Sequence, residues 1–336
     1  MEKKKRISTA LFSAIGMLML IIDSKTAMVG ASEGVEICIR TVIPSLLPFF
    51  ILSTLLTSTL GGSNMRMLHP LGRVCGIPKG SEYLLIIGFM GGYPVGAQAV
   101  TSAYNSGIIT RHDAQRMLGF CSNAGPAFIF GIAGCLFSSR ITTLLLWLIH
   151  IVSALIVAVI LPGKSNCTCS TQNSKLVPLT KAMKNSLEIM ASVCGWVIIF
   201  RIIIAFLSNW LLWILPDDIR LFSIGVLELT NGCHSLLEAQ SEITRFIICS
   251  VILGFGGICV GMQTVSVTKN LGVGSYFPGK LLQAALSAIL AYMTALILFE
   301  GYMQTLFFFV MLPVIIIAFQ IYKKTVAFLD KRVYNN

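Results

Sequence analysis

Apolar runs of bilayer length constrain this chain before anything else does. Residues 11–22, 42–60, 141–161, 193–207, 281–299 and 305–321 approach or reach the ~20 apolar residues with which a helix crosses hydrocarbon. Inside lipid every backbone polar group must find a partner within the protein, so such runs predict spanning helices. Of the 336 residues, 55% are hydrophobic and 12% charged, too little polar surface to solvate a globular domain. The chain reads as an all-α, polytopic helical protein of the cell membrane. Candidate segments lie near 8–23, 35–60, 83–109, 112–137, 141–162, 185–208, 219–238, 244–269, 277–299 and 303–322.

The net charge of +11 raises nucleic acid as a partner, and its distribution removes it. Lys3, Lys4, Lys5 and Arg6 precede the first apolar run, and Lys323, Lys324, Lys331 and Arg332 follow the last. Such clusters mark cytoplasmic ends, so both termini are expected in the cytoplasm. The start also has the build of a signal peptide, with basic residues, an apolar run and small residues in "MVGAS"; in a polytopic chain an uncleaved first helix is the simpler reading. Most of the ten cysteines sit in apolar segments as small packing residues. Cys167 and Cys169 form a lone C-x-C without the second pair or the histidines of a zinc site. No metal and no cofactor is expected. The patterns H-E-x-x-H and the P-loop do not occur, which argues against an enzyme, and Arg111-His112-Asp113 reads as a solvated turn.

The polar stretch 163–182, "GKSNCTCSTQNSKLVPLTKA", divides the chain near its middle and reads as a linker. The expected organisation is an N-terminal membrane helix (1–34), repeat one (35–162), a cytoplasmic linker (163–182), repeat two (183–300) and a C-terminal membrane helix with a basic tail (301–336). A shift of 165 positions, which carries Gly91 to Gly256, pairs "GFMGGYPVGAQAV" with "GFGGICVGMQTV". Gly91-Gly92 then match Gly256-Gly257, Gly96 matches Gly261, Gln98 matches Gln263 and Asn105 matches Asn270. Internal repeats of this kind are the mark of a duplicated unit. A weaker match sets Glu36-Ile37 against Glu188-Ile189.

Charge placement orients the two units. Residues 61–81 carry Arg66, Arg73 and Lys79, and the linker region carries Lys164, Lys175, Lys181 and Lys184, so both belong inside. Three candidate segments lie between these same-side regions, and an odd number of crossings cannot connect them; one segment must re-enter. The same parity recurs after the linker. The expected fold is therefore two inverted repeats with interrupted and re-entrant segments, the sequence pointer to a transporter core with its solute near the midplane.

Gly91, Gly92 and Pro94 should interrupt a helix, because glycine adds conformational freedom and proline lacks a backbone donor. Such a break is tolerable in a membrane only under protein or beside water. Freed amide ends carry positive partial charge and suit an anion, while Gln98 and Gln263 add amide side chains; Asn105 and Asn270 either line the site or cap half-helices. A second interruption, "CSNAGPAFIFG" over 121–131, contributes Ser122 and Asn123. In repeat two "ELTNG" over 228–232 precedes the glycine motif instead of following it. Gly92 with Gly96 and Gly257 with Gly261 also form G-x-x-x-G, which by itself only lets membrane helices approach closely. The repetition together with the glutamines favours a substrate site made of Gly91, Gly92, Pro94, Gly96, Gln98, Ser122, Asn123, Arg201, Gly256, Gly257, Gly261 and Gln263.

Arg201 enters that set because it stands in "VIIFRIIIAFL" with no partner nearby in sequence, and a charge at depth should be paired or functional. Arg40 follows Glu36 by four residues and can satisfy it locally. Glu36, Glu188 and Glu228 permit proton coupling; Glu36 and Glu188 equally fit solvated helix starts at the membrane surface. His150 reads as a buried or interfacial side chain, not a ligand.

At "IPSLLPFFILSTLL", "GFMGGYPVGAQAV", "LGFCSNAGPAFIFG" and "GFGGICVGMQTV" the chain resembles the YlbJ-type sporulation integral membrane proteins, within the wider nucleoside-recognition, or Gate, domain group. The resemblance runs from about residue 8 to residue 322, and "GYPVGA" and "FCSNAGP" are its most specific parts. It implies movement of dipicolinate, a small aromatic dianion, across the outer forespore membrane during endospore formation. A nucleoside or other small-solute carrier stays open as a second reading. So does a non-transporting scaffold or assembly protein, and a homo-oligomer is compatible with each.

Overall fold

A computed structural model describes residues 2–60, 66–161, 163, 176–268 and 270–300. The expected C-terminal helix and tail (301–336), most of the linker, and Cys167 and Cys169 lie outside the described residues. All regular structure among the described residues is helical. Five helical stretches are long and apolar enough to cross a membrane: Ser24–Leu56, Arg140–Ile160, Leu179–Trp210, Glu242–Thr268 and Tyr276–Leu298. The protein is a polytopic helical membrane protein.

The first half begins with α1 (Glu2–Ile22) and α2 (Ser24–Ile37). Asp23 divides them: its carboxylate accepts the Thr26 N–H at 3.2 Å and caps α2. The helix therefore restarts earlier than the expected boundary at residue 34, where polar Lys25 and Glu33 obscured it. A π turn at Cys38–Val42 leads into α3 (Ile43–Leu60). Pro44 has no N–H for the Arg40 carbonyl and its ring would crowd it, a misfit that the wider turn absorbs. Then come α4 (His69–Val74), α5 (Tyr83–Met90), α6 (Val95–Asn105), α7 (Arg111–Cys121), α8 (Pro126–Gly131) and α9 (Arg140–Ile160). Arg111-His112-Asp113 is not a turn but the start of α7, because Thr110 caps it, accepting the Asp113 N–H at 3.1 Å. The second half contains α10 (Leu179–Trp210), α11 (Asp217–Leu227), α12 (Leu229–Ser235), α13 (Glu242–Phe255), α14 (Gly257–Thr268) and α15 (Tyr276–Glu300).

Two ends of the bundle can be told apart. At the linker end α3 and α9 finish and α10 starts: Ser58, Tyr83, Ser106 and Asn185 line one cavity there. Arg116 also binds the Cys75 and Gly76 carbonyls together with those of Ala158 and Leu161. At the opposite end Arg245 binds the carbonyls of Leu136, Leu236 and Ala239, and Asn209 near the end of α10 donates to Thr26 near the start of α2 at 2.8 Å.

These anchors fix the path. Tyr83 opens α5 and Ser106 follows α6, so α5 and α6 form a hairpin that enters from the linker end and returns to it. From the opposite end α11 and α12 do the same, and Arg220 near the start of that hairpin donates to Glu238 just past its end at 3.2 Å. By contrast α7 with α8, and α13 with α14, cross as broken spans; Gln115 of α7 donates to the Leu271 carbonyl beyond α14 at 2.7 Å. Each half thus runs span, hairpin, broken span, span, and the two run in opposite directions. One non-crossing hairpin per half is what charge parity required.

The register of the repeat differs from the sequence match. By element order the break at Gly91–Pro94 in the first hairpin corresponds to Glu228 in the second, and Ser122–Gly125 in the first broken span corresponds to Gly256 in the other. The 165-residue shift paired a hairpin with a span. Both need small residues where backbones approach closely, so similar glycine spacing arises on elements that are not equivalent. The early position of "ELTNG" follows directly, since each half places its hairpin before its broken span.

Candidate functional site

Four backbone breaks meet in the middle of the bundle. Gly92, in the left-handed region at φ +74°, lies against Gly125; a Cβ there would come within 3.2 Å of the Gly125 nitrogen. Gly256 lies under Tyr93, and a Cβ on it would stand 2.9 Å from the phenol oxygen. That phenol donates to the Leu253 carbonyl at 3.3 Å, so the first hairpin is bonded to the second broken span. On the far side Gly257 faces the second hairpin, where a Cβ would stand 3.3 Å from the Leu229 nitrogen.

Between these breaks lies a cavity of about 40 Å³, with Gly91, Gly92, Tyr93, Gly125, Glu228 and Gln263 in its wall. Water-scale contents fit it, since a cavity needs only about 10–15 Å³ of such space to hold a water. Larger cavities open toward the two ends, about 270 Å³ at the linker end and about 490 Å³ at the opposite end. The helix α3 with its π turn borders all three: Thr54 and Ser58 face the first, Phe50 and Leu46 the centre, and Ser45 and Thr41 the last. Thr230 is shared by the central and opposite-end cavities. The arrangement is a constriction between two vestibules.

A sporulation integral membrane protein, YlbJ of Bacillus subtilis (strain 168), is 27% identical over 338 aligned positions, covering 84% of this chain and 82% of that protein. The chain is similar to that protein along most of its length. No family model matches it, and no solved structure matches it significantly.

The centre of the bundle gathers some of the residues read from the sequence and disperses others. Gly91, Gly92 and Gln263 line the central cavity; Pro94 follows Tyr93 through a cis peptide, and Gly256 and Gly257 form the break in the second broken span. Gln98 lines the linker-end vestibule instead. Gly96 and Gly261 serve packing, the first against the Cys121 carbonyl and the second against the Phe277 ring, which a Cβ would meet at 3.0 Å. Ser122 is buried with its hydroxyl unbonded. Arg201 lies outside this core, bonded to Glu33 across the α2–α10 contact. Glu36 pairs with Arg40 at 3.0 Å with both side chains more than half exposed, and Glu188, Asn105 and Asn270 are exposed. Glu228 is buried and caps α12, accepting Thr230 N at 3.0 Å and Asn231 N and Nδ2 at 2.6 Å. His150 is buried, and its Nε2 accepts the Ala124 N–H at 3.0 Å.

Lys280 is the residue that sequence reasoning missed. It is fully buried on α15, where Nζ donates to Asn123 Oδ1 at 3.1 Å and Gln283 Oε1 at 2.7 Å. Gln283 in turn donates to Asn123 Oδ1 at 3.1 Å and to the His150 carbonyl at 3.2 Å. "YFPGKLLQ" reads as a basic interfacial helix start, which hid it. A usable signal was the spacing of Tyr276, Lys280, Gln283 and Ser287, one polar stripe on an otherwise apolar helix.

Proposed function

We propose that this protein is a transporter or facilitator of a small organic anion, with dipicolinate as the first candidate solute, acting during endospore formation in the outer forespore membrane. The observation that carries this reading is the meeting of four backbone breaks around one small cavity between two larger vestibules. Unpaired backbone is costly in lipid and persists where it borders protein or water, and paired hairpins and broken spans around a midplane cavity suit alternating access. The central cavity is too small for an aromatic diacid, so passage requires the breaks to separate, the hairpins moving against the long spans. The name of the B. subtilis relative supports a role in sporulation. Cytoplasmic termini at the basic ends, with Glu228 as the buried carboxylate available for coupling, complete the reading.

Glu228 also favours a second reading. A carboxylate in the cavity wall repels an anion and suits a neutral, hydrogen-bonding solute such as a nucleoside. Uptake of labelled dipicolinate and labelled uridine into vesicles holding the purified protein separates the two. Dipicolinate uptake above that of empty vesicles is expected. Gln263→Ala should lower it about two- to tenfold, the worth of one hydrogen bond, and Arg201→Ala should leave it near the wild-type rate. Uptake of uridine alone would replace the anion by the nucleoside; uptake of neither by folded protein would leave the scaffold.

A further inference from the structure

The Lys280 side chain has no opposite charge beside it. Its ammonium is held by two neutral amide oxygens, those of Asn123 and Gln283, and by the face of the Tyr93 ring, with the centroid 5.2 Å away. Among the described residues no carboxylate lies within ion-pair distance of it. Burying an uncompensated cation is expensive, and an apolar side chain of similar volume would serve packing as well or better. A structural role therefore does not account for a lysine here.

The position does. Asn123, which accepts from Lys280, is followed by Ala124 and Gly125 in the wall of the central cavity, and Tyr93, which covers the ammonium, lines the same cavity. One aromatic ring thus separates the buried cation from the constriction. The ring is not clamped by side-chain packing alone: it rests on Gly256, and its phenol holds the Leu253 carbonyl by a single long hydrogen bond of 3.3 Å. On the other wall Glu228 offers only acceptor oxygens, already engaged by three N–H groups, whereas the Asn123 side holds the Lys280 amine.

We propose that Lys280 is the fixed countercharge for a carboxylate of the transported solute, reached when Tyr93 turns off the ammonium. This rests on the anion reading above. Asn123 and Gln283 are positioning residues that hold the ammonium toward the cavity, and Tyr93 occupies the carboxylate's place when no solute is present.

A charge series of related probes tests it: pyridine-2,6-dicarboxylate, pyridine-2-carboxylate and the neutral pyridine-2,6-dicarboxamide. Each is offered to vesicles holding the wild type, Lys280→Met, Lys280→Gln or Lys280→Arg, and thermal stabilisation of the detergent-solubilised proteins gives an independent binding readout. Lys280→Met and Lys280→Gln should each lose about ten- to hundredfold in dicarboxylate uptake, the worth of one charge-assisted hydrogen bond. Lys280→Arg should retain most of it, and the ratio of dicarboxamide to dicarboxylate uptake should rise in the two uncharged variants. Dicarboxylate uptake at the wild-type rate in Lys280→Met overturns the inference and leaves anion transport standing. A wild type that neither takes up nor is stabilised by any carboxylate probe overturns both.

Discussion

Replacing Arg116 by methionine is expected to cost about 3 kcal/mol or more of stability. The guanidinium is buried, at 3% exposure, and donates to four backbone carbonyls: Leu161 and Gly76 at 3.0 Å, Ala158 at 2.6 Å, and Cys75. Ala158 and Leu161 end α9, where the helix leaves its last carbonyls unpaired and where positive charge is favourable. Each hydrogen bond to a charged donor contributes about 1.5–3 kcal/mol, and a carbonyl left buried without a donor costs about 1–3 kcal/mol. Methionine matches much of the volume, so the loss reports the hydrogen bonds together with the cation–π contact to Phe120, whose ring centre lies 5.1 Å from the guanidinium carbon. Lysine preserves the charge but cannot fork to four acceptors, and Arg116→Lys should fall between. Thermal unfolding of the detergent-solubilised protein reads both; a methionine variant that melts with the wild type would mean that the α9 end and the Cys75–Gly76 loop are held some other way.

Arg116 also shows where sequence legibility stops. Spans are legible because hydrophobic length acts locally, and the breaks are legible because glycine and proline act on their own backbone. Even the hairpins could be inferred, since charge parity is a property of the whole chain that needs no contact map. Pairings across the fold are a different matter. Arg201 has no neighbour in sequence able to satisfy it, and its partner is Glu33, 168 residues away. Arg116 and Arg111 stand five residues apart in "RHDAQRMLGF", yet the first is buried and the second exposed, because only the first faces the end of α9. Gln98 and Gln263 look equivalent in a one-dimensional repeat, and they line different cavities because one lies on a hairpin and the other on a broken span. Lys280 was concealed by the same rule that located the termini: a lysine beginning an apolar run reads as a surface anchor until the helix is known to start deep against Gly119, which a Cβ on Gly279 would overlap at 2.6 Å.

The second large effect is expected at Gly96, where alanine should destabilise the fold by about 3 kcal/mol or more and sharply reduce the yield of folded protein. Gly88 of α5 and Gly96 of α6 both press on the Cys121 carbonyl, and a Cβ on either would overlap that oxygen. The obstacle is backbone at the end of α7, so no side chain can rotate away. Overpacking against mobile neighbours typically costs about 1–3 kcal/mol and more where nothing yields. Gly195 of α10 is the control, because a Cβ there meets nothing within 4 Å. In a helix interior alanine is better than glycine by about 0.5–1 kcal/mol, so Gly195→Ala should match or exceed the wild type in thermal unfolding. Opposite signs from one chemical change would show that Gly96 serves the contact between hairpin and broken span, whereas a helical glycine without such a contact is free to gain a side chain. If Gly96→Ala folds and melts like the wild type, the hairpin does not cross Cys121 as closely as this packing requires, and the meeting of the four breaks loses its foundation.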